Sequence, residues 1–295
     1  APRDAVIATN TSSLPITKFA ENMESPERFI GMHFFNPANR MPLVEIIPGE
    51  KTSEETIART VRMSRTLGKQ PVIVGDAPGF LVNRLLMPYL NEAAYTAQEG
   101  ASIEEIDKEM ESFGWPMGPF YLLDVIGIDI AAKVAGILEN AFGERMKISP
   151  VLNKMMEDKE LLGQKSGKGF YLYKGKEKQK VNPEAQKIIA QNKTSGSTKP
   201  EAKKIRDRLM AVMINEASLC LEDNVAQSAE DIDMALVLGT GFPPFRGGLL
   251  IYADRMGARN IVSILSDYER AGGKRYKATN MLKRMAESSG SFYGE

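Results

Sequence analysis

The chain has 295 residues, and its 38 Lys and Arg residues balance its 38 Asp and Glu residues. Nucleic acids and anionic membrane surfaces select basic proteins, so this balance argues against both as partners. The single cysteine, Cys220, excludes an intrachain disulfide and a cysteine-rich metal site, and it suits a reducing compartment such as the cytoplasm. No apolar run approaches the roughly 18 residues of a membrane span, so we expect no integral membrane segment. We also expect no bound metal.

The N-terminal part is predicted to be an α/β sheet, because short apolar runs alternate with helical patterns. We predict that Ser13 caps a first helix over residues 15–23, since Pro is tolerated in a first helical turn. A capping box from Thr52 to Glu55 is predicted to open a second helix that ends at Gly68. The predicted strands are residues 6–9, 29–35, 44–47 and 71–74.

The only histidine of the chain, His33, lies in the second predicted strand. Imidazole is the side chain that changes protonation near neutral pH. Glu45 follows in the third strand, and a buried Glu is uncommon without a partner. If these strands are neighbours, side-chain alternation brings Glu45 to one ring nitrogen and leaves the other facing a cleft. That arrangement orients a general base; the alternative from residue types alone is a core histidine bound to a backbone carbonyl.

Beyond residue 76 the pattern becomes helical. A long helix is predicted over residues 80–99, with a kink at Pro88. A capping box that starts at Ser102 opens another helix. Asp129 is predicted to cap a further helix that runs to residue 141.

The helical part contains an internal repeat. The sequence of residues 84–93 is similar to that of residues 208–217, and three further matches follow in the same order. This ordered match predicts two similar all-α domains. Between them the chain is rich in Lys, Gln, Ser and Pro, which predicts a solvated linker; a basic contact for a phosphate-bearing ligand is the alternative. The further matches are Ile106-Asp107 with Ile232-Asp233, residues 114–116 with 241–243, and Asp124 and Gly127 with Asp254 and Gly257.

Several motifs, taken together, resemble the 3-hydroxyacyl-CoA dehydrogenase family. The resemblance spans essentially the whole chain and implies the second half of a Rossmann-like NAD-binding domain followed by two similar all-α domains. The tandem helical copy is similar to multifunctional fatty-acid β-oxidation proteins. The motifs are residues 10–13 (Asn-Thr-Ser-Ser), 33–37 (His-Phe-Phe-Asn-Pro), 43–47 (Leu-Val-Glu-Ile-Ile), 78–84, 113–119 and, in the second copy, 241–248.

The implied domains are the half NAD-binding domain at residues 1–76, helical domains at 77–180 and 205–295, and a linker at 181–204. No Gly-x-Gly-x-x-Gly motif occurs in the chain, and its first residue is not Met. The motif belongs to the first half of the family's NAD domain, which presents backbone N–H groups to the pyrophosphate. We therefore expect that the chain is part of a larger protein, starts after this motif, and is inactive alone.

The resemblance also implies a role for each of five side chains. His33 would take the proton of the substrate's 3-hydroxyl while hydride passes from C3 to NAD, and Glu45 would orient His33. Ser12 would lie near the nicotinamide and the substrate oxygen. Asn36 would contact the cofactor, and Asn83 would bind substrate. From residue types alone, Ser12 is a turn residue and Asn83 a polar residue at a helix start.

The expected function is NAD-dependent oxidation of (S)-3-hydroxyacyl-CoA to 3-oxoacyl-CoA in fatty-acid β-oxidation, in the cytoplasm of a bacterial-type cell. An acyl-CoA would be the substrate and a thiolase subunit the protein partner. Two alternatives stay open. One is a β-hydroxyacid dehydrogenase for substrates without CoA, against which the tandem helical unit argues. The other is a thiolase-docking module with a vestigial site, against which the set of Ser12, His33, Glu45 and Asn83 argues.

Overall fold

The computed structural model describes residue 2 and residues 4–294, apart from the side chains of residues 271 and 272. Residues 1, 3 and 295, which belong to the first and last predicted domains, lie outside the described residues. The chain divides into two compact units. Three of the four boundaries between the units fall within helices and one falls in a loop, so they do not follow the predicted domain boundaries. The first unit holds Ala1–Arg84, Ala217–Ala258 and Thr279–Glu295, and the second holds Leu85–Glu216 and Arg259–Ala278.

A four-stranded sheet occupies the N-terminal part of the first unit. Strands β1 and β2 are parallel, β2 and β3 are antiparallel, and β3 and β4 are parallel, in the spatial order β1-β2-β3-β4. Ile30, Val44 and Ile46 form a buried cluster on this sheet. The predicted α/β class is confirmed here. The elements are β1 (Ile7–Thr9), α1 (Ile16–Ala20), β2 (Phe29–Phe34), β3 (Leu43–Pro48), α2 (Glu54–Thr66) and β4 (Gln70–Ile73).

Two of the predicted helix caps in this part are wrong. Ser13 does not cap α1. Instead the carboxylate of Asp76 accepts the first two backbone N–H groups of the helix, at 2.8 and 2.7 Å. This partner is remote in sequence, so no local pattern reveals it. Helix α2 is capped by Ser53, rather than by Thr52, through a bond of 3.2 Å to the Thr56 N–H.

Within the described residues, thirteen α-helices and β-strands follow the sheet. The Ser102 capping box is confirmed, whereas Asp129 lies in the first turn of α6 and does not cap it. No helix within the described residues is long and apolar enough to cross a membrane. The elements are α3 (Val82–Gln98), α4 (Ile103–Phe113), α5 (Pro119–Ile126), α6 (Ile128–Phe142), α7 (Pro150–Glu157), β5 (Tyr171–Lys174), β6 (Glu177–Val181), α8 (Pro183–Gln191), α9 (Ala202–Glu222), α10 (Ala229–Thr240), α11 (Leu249–Met256), α12 (Ala258–Gly272) and α13 (Asn280–Ser288).

The region predicted to be all-α contains a β-hairpin, formed by β5 and β6. The segment predicted to be a linker, residues 181–204, also contains helix α8. Asn182 caps this helix, Pro183 is its first residue, and Ala185 is buried. An Asn-Pro pair at a helix start is a recognisable signal, but the Lys-rich composition around it favoured a solvated segment.

Helices α3 and α9 carry the matched residues 84–93 and 208–217. Six apolar side chains on these two segments are buried, each at most 7 % exposed. All six lie in the second unit. They are Leu85, Leu86, Leu90, Leu209, Met210 and Ile214.

The internal repeat extends to hydrogen bonds that the sequence comparison did not reveal. Asp107 accepts two backbone N–H groups near the start of α5 and the hydroxyl of Tyr171. Its counterpart Asp233 accepts two N–H groups near the start of α11 and the hydroxyl of Tyr293. Each carboxylate therefore anchors a helix start and a tyrosine in its own unit.

A second pair of carboxylates repeats in the same way. Asp124 accepts the backbone N–H groups of Phe170 and Tyr171, each at 2.8 Å. Asp254 accepts those of residues 292 and 293, at 2.8 and 3.1 Å. The repeat thus continues to Tyr293, well beyond the matches found in the sequence.

Candidate active site

His33 and Glu45 lie directly opposite each other on the antiparallel strands β2 and β3. The imidazole Nδ1 is 2.7 Å from Glu45 Oε2. A carboxylate can only accept hydrogen bonds, so Nδ1 carries the proton of this contact. Glu45 is fully buried and His33 is 7 % exposed. The predicted contact between the two side chains is confirmed, and it fixes both the orientation and the tautomer of the ring.

The second carboxylate oxygen of Glu45 binds backbone rather than a side chain. Oε1 accepts the N–H groups of Leu81 and Val82 at 3.1 and 2.9 Å. These groups stand at the beginning of α3, where N–H groups have no intrahelical partner and the helix end carries a partial positive charge. The buried carboxylate is therefore hydrogen-bonded on both oxygens. Sequence reasoning missed this contact, because side-chain patterns do not show where backbone N–H groups point.

A tight turn leads into this helix start. Gly79 has φ of 76° and Phe80 has φ of 50°, so two successive residues adopt the left-handed region. Phe80 is fully buried, with its ring centroid 5.9 Å from that of the imidazole. The ring of Phe35 is also near, at 4.6 Å. Both phenyl rings therefore lie close to the imidazole.

The other imidazole nitrogen, Nε2, has no hydrogen-bond partner among the described residues. The side chain of His33 is 9 % exposed to solvent. A neutral imidazole with a proton on Nδ1 presents a lone pair at Nε2, which can accept a proton from a hydroxyl group. Within residues 4–294, no group of three or more His, Cys, Asp or Glu side chains is arranged to hold a metal ion.

The loop after β1 lies beside this pair. Because β1 and β2 are parallel, their carboxyl ends share one edge of the sheet, the edge at which open α/β sheets bind ligands. The Asn10 side chain accepts the Phe34 N–H at 3.0 Å, and the Asn83 side chain donates to the Ser12 carbonyl at 3.1 Å. The structure thus brings the Ser12 loop together with Asn83. The side chains of Ser12 and of Asn36, which follows β2, are exposed.

Comparison with protein families gives matches along most of the chain. The model of the 3-hydroxyacyl-CoA dehydrogenase NAD-binding domain matches residues 1–77. The model of the 3-hydroxyacyl-CoA dehydrogenase C-terminal domain matches residues 79–173 and 205–291. The two ranges of the second model correspond to the two copies of the internal repeat.

Curated relatives include the fatty acid oxidation complex subunit alpha of Acinetobacter baumannii strain SDF, which is 45% identical over 99% of this chain. The subunit of the same name from Psychrobacter cryohalolentis is 44% identical over 98% of the chain. The chain spans 41% of the length of each of these relatives.

Similar solved structures include 3-hydroxybutyryl-CoA dehydrogenase from Escherichia coli K12. It matches with a TM-score of 0.81 and 28% identity, over 96% of this chain and 75% of that chain. The dehydrogenase part of multifunctional enzyme 1 from C. elegans matches with a TM-score of 0.66 and 30% identity, over 95% of this chain and 64% of that one.

Proposed function

Because this chain belongs to the 3-hydroxyacyl-CoA dehydrogenase family, we propose that it supplies the residues for NAD-dependent oxidation of (S)-3-hydroxyacyl-CoA to 3-oxoacyl-CoA. This is the dehydrogenase reaction of fatty-acid β-oxidation. The observation that carries the proposal is the His33–Glu45 contact of 2.7 Å beside an Nε2 that has no partner among the described residues. Since the chain spans 41% of its curated relatives, the activity is proposed for the whole protein in which it occurs.

In this proposal His33 is the general base. Nε2 takes the proton of the substrate's 3-hydroxyl as the bond between C3 and its hydrogen breaks. Bound NAD supplies the acceptor for the hydride that leaves C3. Glu45 keeps the proton on Nδ1 before the reaction and stabilises the imidazolium after it, since its negative charge lies 2.7 Å away. General bases of this kind contribute about 10²- to 10⁴-fold to turnover.

The exposed polar groups at the sheet edge fit the nicotinamide end of the cofactor. A carboxamide needs both donors and acceptors, which the hydroxyl of Ser12 and the amide of Asn36 offer. We propose that Ser12 lies between the nicotinamide and the substrate oxygen and that Asn36 contacts the cofactor. Asn83, held at the Ser12 loop by its bond of 3.1 Å, is proposed to bind substrate.

The larger organisation is part of the same proposal. We assign residues 1–76 to the C-terminal half of an NAD-binding domain, and residues 77–180 and 205–295 to two similar helical domains. The relatives are named as subunits of a fatty acid oxidation complex. We propose that a thiolase subunit is the partner in such a complex, that acyl-CoA is the substrate, and that the protein acts in the cytoplasm.

The proposal is tested with the protein expressed from its complete gene. His33→Gln should lower kcat for a 3-hydroxyacyl-CoA by about 10²- to 10⁴-fold and leave the circular dichroism spectrum unchanged. A panel that pairs each acyl-CoA with the free 3-hydroxy acid should show turnover for the CoA thioesters alone. Near-normal turnover in His33→Gln would refute the role of His33. Equal turnover of the free acids would favour a dehydrogenase that does not need CoA.

A further inference from the structure

We propose that the backbone N–H groups of Leu81 and Val82 are positioning groups for the reaction: they fix Glu45 and, through it, the imidazole of His33. The inference rests on the proposed function, because it assigns a task to groups that contact neither substrate nor cofactor. All of these contacts are made between residues of this chain, so they do not depend on the bound cofactor.

The two oxygens of Glu45 have different hydrogen-bond partners, which supports this role. Oε2 meets the imidazole at 2.7 Å, while Oε1 is held from the other side at 3.1 and 2.9 Å. A carboxylate bound at three points on both oxygens has little freedom to rotate. Among the described residues, His33 is the one side chain that hydrogen-bonds to Glu45. Backbone dipoles therefore balance its buried charge without a cation that would compete with the imidazole for the carboxylate.

The turn before α3 is what aims the two N–H groups. Gly79 and Phe80 have φ of 76° and 50°, and Phe80 also donates its N–H to the Ala77 carbonyl at 2.9 Å. A left-handed phenylalanine is uncommon, and such residues persist where their surroundings hold them, often at active sites. Here the Phe80 ring is fully buried beside the imidazole. One residue thus packs against His33 and turns the chain toward Glu45.

A matched pair of substitutions separates the N–H group from the side chain of Val82. Val82 is the first residue of α3, a position at which Pro is common. Val82→Pro removes one N–H donor but keeps most of the side-chain volume, whereas Val82→Ala keeps the donor and loses volume. In the protein from the complete gene, kcat should be about tenfold lower in V82P than in V82A, the usual effect of losing a hydrogen bond to a charged group, with KM within about twofold.

A spectroscopic readout does not depend on activity. His33 is the only histidine of this chain, so one imidazole Nδ1–H signal is expected in the proton NMR spectrum. The signal should lie far downfield in the unsubstituted chain and in V82A, because the proton is bonded to a carboxylate. It should move upfield or broaden in V82P. An unchanged signal together with equal kcat in V82P and V82A would overturn the proposal.

The isomeric pair Phe80→Leu and Phe80→Ile provides a second test if V82P does not fold. The two side chains have equal volume, but the β-branched Ile disfavours the left-handed region more strongly. F80I should therefore show the lower kcat and the perturbed imidazole signal, and identical behaviour of the two variants would contradict the inference. If the imidazole signal responds as expected but no variant oxidises 3-hydroxyacyl-CoA, the positioning geometry stands and the proposed function fails.

Discussion

Arg208 is the centre of a buried charge cluster in the second unit, and its removal should be costly. Its guanidinium donates to Glu92 at 2.5 Å, to both oxygens of Glu99 at 2.6 and 2.9 Å, and to the Tyr276 hydroxyl at 2.7 Å. Arg208 and Glu92 are each 1 % exposed. Burial opposes ionisation of Glu92, but Arg208 and Arg275 together hold the pKa of this carboxyl below its usual range. Glu92 is therefore a buried charge that depends on its cations.

The substitution Arg208→Met keeps an unbranched apolar stem and removes every one of these donors. Glu99 is partly exposed and can turn to water, whereas Glu92 is left with the bond of 3.2 Å to Arg275 and with Tyr276. Breaking a buried ion pair by removing one partner costs about 3–5 kcal/mol, because the other charge stays buried. We expect R208M to lower the free energy of unfolding by that amount.

Urea denaturation of the 295-residue chain, followed by circular dichroism, measures this loss as a shift of the midpoint at constant slope. Arg206→Met on the same helix is the matched control, since its partly exposed side chain pairs with Glu109 at 3.3 Å and should contribute less than about 1 kcal/mol. The double variant R208M/E92Q should lose less than the sum of the single losses. A loss below about 1 kcal/mol in R208M would refute the reasoning.

Three further predictions concern stability. Burial raises the pKa of Asp107 to about 7, above its ordinary value of 3.8. The protonated carboxyl group therefore contributes fully to the free energy of unfolding at low pH, and this contribution is lost as the pH rises through 7. Urea unfolding should therefore show a higher free energy at pH 5 than at pH 8, and Asp107→Asn should flatten that difference. Gly118→Ala should destabilise by at least about 2 kcal/mol, because its Cβ would lie 2.3 Å from the Asp107 Cα, whereas Gly136→Ala, with nothing within 4 Å, should stabilise by about 0.5–1 kcal/mol; thermal unfolding checks both signs. Asp76→Ala should cost about 1 kcal/mol in the same assay through loss of the α1 cap, and no change would show that the cap is dispensable.

The contact at the centre of the site could be predicted because it follows from strand geometry. His33 and Glu45 lie in two adjacent apolar runs, and a short connection between such runs favours neighbouring strands. Side-chain alternation then decides which faces meet, so a polar residue in each run suffices to predict the pair. The same reasoning located all four strands of the sheet to within two residues.

Contacts between distant parts of the chain could not be predicted in this way. Asp76 caps α1 although 60 residues separate it from the first helical residue, while the local signal pointed to Ser13. The backbone partners of Glu45 were hidden because every residue has an N–H group and only the fold decides which ones converge. Helix α8 was missed for a different reason. Its Asn-Pro start was present, but the basic composition around it outweighed a signal of two residues.

The two copies of the helical repeat allow two related sequences to be compared within one molecule. Some of their apolar residues have changed: Leu86 corresponds to Met210 and Trp115 to Phe242, and all four are buried. Swaps of this kind cost little where the volume is roughly kept. The anchoring carboxylates have not changed, because an aspartate that disappears leaves two backbone N–H groups without their acceptor, which costs about 1–3 kcal/mol for each group that is buried. Divergence after the duplication therefore altered the hydrophobic packing and spared the polar anchors, so that a third copy of this unit, in any protein, should be recognisable by its aspartates before its leucines.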